Sequence, residues 1–361
     1  MTHRDVVICG GGTGGHLYPA LVLGRTLHKK DPSVKVTFIG SNRTAERELM
    51  ARHGVRFIAL NVEGLKGRGL RKLKSLALLP FALLRSYLIL FRIKPALVVG
   101  VGSYSSGTVV LAASRMKIPI LLLEQNVYPG FTNRRLLGRA QRVVAAFEAS
   151  LAHLKGKGVF LGNPVREEFA RLPHKIHIGS FDLLIFGGSQ GSHFLNIAVT
   201  AALPFLERWK DRLRIVHQTG PADLAEVRKS YTESRFSGAV VEPFFDDMPE
   251  RFAAADLVVS RAGATSCAEL IAARKASILV PFAQAADDHQ RKNAEALAEV
   301  GGADVILESD WSPQRFAATL GNMIERPERL TAMENALSTL AVEDSAGKIA
   351  TLALTLMDQK P

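Results

Sequence analysis

The run DVVICGGGTGGHLYPALVLG, residues 5–24, decides how the chain is read. Val6 to Cys9 form a short apolar run, as expected of a strand buried on both faces. A glycine cluster from Gly10 to Gly15 follows, closed by His16, and helical spacing starts near Leu17. Strand, glycine turn and helix in that order let the backbone approach a bound group and aim a helix N-terminus at an anion. Gly10, Gly12 and Gly15 also satisfy G-x-G-x-x-G, which by itself fits a dinucleotide-binding oxidoreductase equally well. The second strand ends in IGSNR (39–43), without the acid that an NAD ribose requires. Arg43 would suit a 2′-phosphate, so an NADP-dependent oxidoreductase stays open.

Outward from this run, the strand–helix alternation continues. Apolar runs fall at 5–9, 34–39, 55–60, 96–100, 118–123 and 141–146, and the pattern restarts at 181–186, 212–217, 238–242, 256–260, 276–280 and 303–306. Strands alternating with helices imply parallel sheets covered on both faces. With 361 residues, two doubly wound α/β domains are expected. The boundary falls near Asn163-Pro164, giving residues 1–163 plus 344–361 and residues 164–343. RLPHKIHIGS (171–180) reads as surface connection, and the last amphipathic helix, about 344–357, as a segment that folds back. Two further glycine-bearing turns stand out: FGGSQGS (186–192), and SRAGATSCAE (260–269) after the strand ADLVVS. Each offers N–H groups to a phosphate, and Glu269 lies about one turn further on, where a carboxylate can take two ribose hydroxyls.

Hydrophobic residues make up 47% and charged residues 22%, a globular balance that excludes global disorder. Cys9 and Cys267, the two cysteines, sit in apolar or Gly-rich runs, so neither a disulfide framework nor a zinc site is expected and a reducing compartment fits. The N-terminal apolar run is too short for a signal peptide. The formal charge of +12 implies an anionic partner. Lys66, Arg68, Arg71, Lys72 and Lys74 cluster beside Leu70, Leu73, Leu76 and Leu79, ahead of the run SLALLPFALLRSYLILF (75–91). Pro80 and Arg85 interrupt that run, and a span needs about 18 or more continuous apolar residues. It reads as an interfacial helix on an anionic membrane surface. Nucleic acid is excluded, because the basic residues border an apolar run rather than alternating with stacking aromatics.

Ten segments in order complete the reading: GGTGGH (11–16), GSYSSG (102–107), EQN (124–126), TNRRL (132–136), GNPVR (162–166), GGSQG (187–191), HQTG (217–220), FFDDM (244–248), RAGATSCAE (261–269) and VPF…DDHQRKNA (280–294). Together they cover most of the chain, which resembles the MurG family of bacterial transferases. Members of that family move N-acetylglucosamine (GlcNAc) from UDP-GlcNAc to the C4 hydroxyl of the MurNAc sugar in lipid I, forming lipid II for peptidoglycan. The resemblance implies a GT-B fold, two Rossmann-like domains facing across a cleft. It implies a peripheral protein on the cytoplasmic face of the inner membrane, with other cell-wall synthesis proteins as possible partners. Ser189 and the turn carrying Ala264, Thr265, Ser266, Cys267 and Ala268 would hold the diphosphate, and Glu269 the ribose. Arg166 and the backbone around Phe245 would serve the nucleotide end, with Gln290 on the sugar. Asn126, Thr13, Gly14 and Gly15 would close over the donor from the other domain. Tyr104 and the loop with Gly64, Lys66 and Arg68 would meet the acceptor. Phe245 stands where a smaller aliphatic is common in the family, and Pro221 departs from the usual residue after HQTG.

That reaction is a single displacement with inversion, so it needs a base at the acceptor hydroxyl and charge stabilisation for departing UDP, but no nucleophilic side chain. The sequence holds no Asp-x-Asp, and the adjacent pairs Asp246-Asp247 and Asp287-Asp288 diverge. Helix N-termini are expected to stabilise UDP, with no cofactor and no essential metal. His16 is the first candidate for the base and Glu124 its rival, though Glu124 also reads as a group that positions Asn126. His16 equally reads as a residue packed against its turn. A third possibility is a non-catalytic nucleotide-sugar-binding protein.

Overall fold

A computed structural model describes residues 4–11, 14–61 and 70–359, without the side chains of 14 and 70–78. The chain divides into two compact units, Met1–Val165 with Val342–Pro361, and Arg166–Ala341. In the first unit β1 (Asp5–Cys9), α1 (Gly14–Lys30), β2 (Lys35–Ser41), α2 (Thr44–Arg52), β3 (Arg56–Leu60), α3 (Leu70–Ile93), β4 (Leu97–Gly100), α4 (Ser103–Arg115), β5 (Ile120–Glu124), α5 (Phe131–Leu136), β6 (Arg142–Ala145) and β7 (Gly158–Phe160) follow in order. The strands pair in parallel in the order β3-β2-β1-β4-β5-β6-β7. In the second unit come α6 (Glu167–Ala170), β8 (Phe181–Phe186), α7 (His193–Ala202), β9 (Leu213–Gln218), α8 (Leu224–Glu233), β10 (Val240–Glu242), α9 (Met248–Ala254), β11 (Leu257–Ser260), α10 (Ala264–Ala273), β12 (Ser277–Leu279), α11 (His289–Glu299), β13 (Ala303–Val305), α12 (Pro313–Glu325) and α13 (Pro327–Leu337). Its parallel order is β10-β9-β8-β11-β12-β13. The last helix, α14 (Ser345–Asp358), belongs to the first unit.

Burial on both faces explains why the strands are continuously apolar. Val6 and Ile8 face a core shared with Leu17 and Leu21 of α1 and with Ile349 and Ala353 of α14. Val7 and Cys9, pointing the other way, meet Leu90 of α3 and Val109 and Val110 of α4. Helix starts follow their capping residues: Ser192 Oγ accepts from Leu195 N, Ser312 Oγ from Arg315 N and Asp344 Oδ1 from Gly347 N. Gly162 has φ +76 and lies where a Cβ would come within 3.0 Å of Val342, so the chain leaves and re-enters the first unit at one place.

Two local features differ from the sequence expectation. Helix α1 starts at Gly14 rather than near Leu17, which puts His16 in its first turn. Strand β7, GVF, adds an edge that the sequence reading did not include, because its apolar run is only three residues long, 159–161, between KGKG and GNP. The 171–180 segment is a surface connection, as expected, and is tied down by its polar residues. Lys175 Nζ donates to Asp182 Oδ2 (2.6 Å), Asp256 Oδ2 (2.8 Å) and the Ala254 carbonyl, while Ile176 and Ile178 are exposed. His177 is buried between Asp256, 2.8 Å from Nδ1, and Glu334, 3.3 Å from Nε2.

Those two carboxylates push the pKa of His177 from 6.5 up to about 9, against the opposing effect of burial, while its hydrogen bonds hold Asp256 below the usual range. A raised folded pKa contributes stability that is complete below the unfolded value and lost as pH rises through the folded one. The unfolding midpoint of the second unit is therefore expected to fall between pH 6.5 and 9.5. His177→Gln should be less stable at pH 6.5 and show a flatter profile in calorimetry; parallel curves for the two proteins would remove this account of the linker.

Candidate active site

Each sheet reverses its order beside its first strand, between β1 and β4 in one unit and between β8 and β11 in the other. Loops at the C-terminal ends of strands diverge to opposite faces at such a point and leave a crevice for ligands. The glycine turns of the sequence fall at these two places.

In the second unit the loop after β8 and the loop after β9 interlock. A Cβ on Gly191 (φ +74) would overlap the Thr219 carbonyl, and one on Gly220 (φ +76) the Gln190 carbonyl, so both positions require glycine. Gln218 extends the tie: its Nε2 donates to Gly188 O (3.1 Å) and its Oε1 accepts from Phe245 N (2.9 Å). Beneath it His217 is fully buried, with Nδ1 accepting from Tyr231 OH and Nε2 donating to Asn196 Oδ1, each at 3.0 Å. Burial pushes its pKa down to about 3, so it is a neutral strut. Asn196 Nδ2 in turn donates to Thr219 O and Asp223 Oδ2, both at 2.8 Å.

Arg261, buried at the end of β11, joins three further loops. Its Nε donates to Ser192 Oγ (2.8 Å) and its Nη1 to Val280 O, Pro281 O and Glu308 Oε1. Its guanidinium also lies over the rings of Phe194 and Phe282. Immediately after it Gly263 opens α10 with no capping side chain, so the helix dipole faces outward at Ala264, Thr265 and Ser266. One turn later Glu269 is buried against Arg166, Oε1 to Nη2 3.2 Å, and Arg166 stacks 4.6 Å over the ring of Phe169. Burial raises the Glu269 pKa to about 7, while Arg166 pulls it down.

In the first unit the loops after β1, β4 and β5 meet. His16 Nδ1 is 2.6 Å from Gln125 Oε1, and its ring lies over Gly102, where a Cβ would come within 3.2 Å of Cε1. Ser103 holds a left-handed conformation (φ 74), and its Oγ accepts from Gly11 N at 3.0 Å. Strain of this kind in a non-glycine residue persists where the surroundings enforce it. Glu124 is buried. Its Oε1 accepts from Asn126 N (3.0 Å) and Nδ2 (3.3 Å), its Oε2 from Gly130 N (3.0 Å) and Asn133 Nδ2 (2.9 Å). Burial raises its pKa and the four donors oppose that. A second buried carboxylate, Glu46, accepts from Ser41 N (2.8 Å) and Ser41 Oγ and lies against Gly11.

Comparison with known proteins now identifies the chain. Residues 6–145 match the glycosyltransferase family 28 N-terminal domain, and residues 182–349 the C-terminal domain of the same family. The chain belongs to glycosyltransferase family 28. A UDP-N-acetylglucosamine–N-acetylmuramyl-(pentapeptide) pyrophosphoryl-undecaprenol N-acetylglucosamine transferase of Myxococcus xanthus is 44% identical, over 98% of this chain and 93% of its own. A transferase of the same description from Anaeromyxobacter dehalogenans is 42% identical over 98% and 94%. The crystal structure of Acinetobacter baumannii MurG matches with a TM-score of 0.78 and 27% identity, covering 98% of this chain and 99% of that one. The two parallel-sheet units are thus those of a GT-B glycosyltransferase. Neither the oxidoreductase nor the non-catalytic reading finds support among these relatives, and Glu46 already sets a carboxylate against the first glycine turn, where a dinucleotide phosphate would be repelled.

Within this family 28 chain the residues singled out from sequence are distributed as follows. Ser189 is exposed in the loop after β8; Ala264, Thr265, Ser266 and Ala268 lie partly exposed on α10. Cys267 is different: its side chain is fully buried and burial pushes the thiol up to about 12, so only its backbone is available to a ligand. The Phe245 ring is buried under Arg251, and Gln290 Oε1 accepts from Phe282 N (3.0 Å). Gly15 and His16 lie in the first turn of α1, Tyr104 in the first turn of α4, Glu124 at the end of β5 and Asn126 in the loop that follows it. Glu124 differs from a free base, because both its oxygens are occupied by the loop it shapes. Thr13, Gly64, Lys66 and Arg68 lie outside the described residues, as do the side chains of Leu70, Arg71, Lys72, Leu73, Lys74 and Leu76. Leu79 is partly buried, and the exposed apolar face of α3 lies further along, at Phe81, Leu84, Leu88 and Phe91. Sequence reasoning passed over Arg261, Gln218, Gln125 and Glu46. The first three stand inside quoted motifs, but nothing in their spacing says which way they point.

Proposed function

We propose that this chain transfers N-acetylglucosamine from UDP-GlcNAc to the MurNAc C4 hydroxyl of lipid I, with inversion, yielding lipid II and UDP. The observation that carries the reading is the second unit's switch point, where an uncapped α10 and a buried Arg166–Glu269 pair meet two interlocked glycine loops. There Ser189 and the first turn of α10 hold the diphosphate, and Glu269 accepts the ribose hydroxyls. Arg166 and the backbone at Phe245 take the nucleotide end, Gln218 yielding the Phe245 N–H to the base. Gln290 contacts the sugar. The first unit supplies the acceptor side, with His16 taking the proton of the attacking hydroxyl and Tyr104 among the acceptor contacts. Gly14, Gly15 and Asn126, with Thr13, complete the donor contacts. The C1–oxygen bond to UDP breaks as the new glycosidic bond forms, and the field of the α10 N-terminus favours the leaving diphosphate.

The acceptor's polyprenyl chain calls for a docking surface. Phe81, Leu84, Leu88 and Phe91 recur at three- and four-residue spacing, so one face of α3 is exposed and apolar, bordered by exposed Arg85 and Arg92. No helix among the described residues is long and apolar enough to cross a membrane. Peripheral attachment through this face to the anionic cytoplasmic leaflet, beside other cell-wall enzymes, is the arrangement we infer.

The direct test is UDP release from UDP-GlcNAc with and without a lipid I analogue, in detergent containing EDTA. Acceptor-dependent release is expected; release that needs added Mg would replace the helix-field account with a metal, and none under either condition would refute the transferase reading. For the docking face, flotation with phosphatidylglycerol-containing vesicles should show Phe81→Ser/Phe91→Ser weakened by about tenfold or more, since burying each ring is worth roughly 1.5–3 kcal/mol. Wild-type flotation by that variant would rule out this face.

A further inference from the structure

Gln218, the last residue of β9, is 2% exposed and hydrogen-bonded at both ends of its amide. The Gly188 carbonyl only accepts and the Phe245 N–H only donates, so Nε2 faces Gly188 (3.1 Å) and Oε1 faces Phe245 (2.9 Å). A flipped amide would set oxygen against oxygen and N–H against N–H. One side chain thus touches the loop after β8, one position before Ser189, and the loop after β10. Neither loop depends on that side chain for its place. Thr219 N donates to Glu242 O (3.0 Å) and Gly220 N to Pro243 O (3.1 Å), which ties the end of β9 to the stretch just before Phe245. Gly191 packs on Thr219 too closely for a Cβ, and the Phe245 ring is held under Arg251, 4.8 Å away. The Phe245 N–H can therefore change its acceptor while the backbone around it stays where it is.

We propose that Gln218 is a built-in competitor for the nucleobase, which keeps the affinity for UDP low enough for the product to leave. This rests on the reading in which the Phe245 N–H meets the base. The carbonyl of a side-chain amide and a ring carbonyl of uracil are the same class of acceptor. In the empty site Gln218 meets a buried N–H that would otherwise go unpaired at a cost. On binding, the base takes that N–H and Gln218 gives it up, so one hydrogen bond replaces another and the net gain is small. Without the competitor the base would satisfy an unpaired donor, and UDP would be held more tightly by about the worth of that bond. The competition acts on the base alone. The ribose and diphosphate contacts, at Glu269, Ser189 and the start of α10, do not involve the Gln218 oxygen.

The experiment is calorimetric titration of UDP, and of ribose 5-diphosphate as the same ligand without its base, into wild type and Gln218→Met. Methionine keeps the length of the side chain and removes the competing oxygen. The preference for UDP over ribose 5-diphosphate should rise in Gln218→Met by about three- to tenfold, what one hydrogen bond is worth. A side chain that only braced its loops would weaken both ligands together when replaced, so an unchanged or smaller preference overturns the proposal. A crystal structure of the wild type with UDP tests it without any variant. A base carbonyl within hydrogen-bond distance of Phe245 N, with Gln218 Oε1 displaced from it, is expected. Gln218 still on Phe245 N with UDP bound overturns the proposal and leaves the transferase reading standing. Wild type that binds no UDP overturns the nucleotide site itself, and the role of Gln218 with it.

Discussion

At the C-terminal edge of the second sheet, the guanidinium of Arg261 is enclosed by the loops that follow β8, β12 and β13 and donates to each of them. Taking a guanidinium out of water is costly unless each donor is met. Ser192 meets Nε, two carbonyls and Glu308 meet Nη1, two aromatic faces flank the group, and these contacts fix where their loops lie. Desolvation lowers the pKa of Arg261 and Glu308 opposes it. Because Ser192 also caps α7, the same guanidinium sets the end of the helix that follows the GGSQG loop. The proposed nucleotide site is thereby held by the protein's own contacts, as efficient electrostatic stabilisation requires.

The first unit uses carboxylates for the same purpose. Glu124 and Glu46 are buried acceptors whose oxygens collect N–H and hydroxyl donors from the loops they shape. Those oxygens are taken up by the loops they shape, so in the proposed reaction proton transfer falls to His16. Both units thus follow one plan: a strand-end turn at the reversal of sheet order, a polar strut behind it, and a helix N-terminus or an imidazole presented in front.

Most of the architecture was legible in the sequence, because parallel strands buried on both faces must be apolar throughout and the glycine turns punctuate them. β7 was not, since a three-residue strand between two glycine turns carries no pattern. The 171–180 segment is the surface connection expected, but its polar anchors were not legible, because Lys175 and His177 point toward Asp182, Asp256 and Glu334 while the isoleucines point outward. Within the site, the motifs gave the neighbourhoods of His16, Ser189 and Glu269. They could not give the cross-chain partners. The Gln125–His16 and Arg166–Glu269 contacts span 109 and 103 positions, and only the meeting of loops from different strands creates them.

In the proposed reaction Glu269, as a carboxylate, holds the ribose of the donor. Burial raises its pKa to about 7, so it loses its charge as pH falls through neutrality. The most direct measurement is calorimetric titration of UDP between pH 8 and 6 into wild type and Glu269→Gln, the variant cancelling the titration of UDP itself. Wild type is expected to bind more tightly at pH 8, with a gap that narrows toward pH 6. Equal affinities at pH 8, or a gap that does not change with pH, would contradict it.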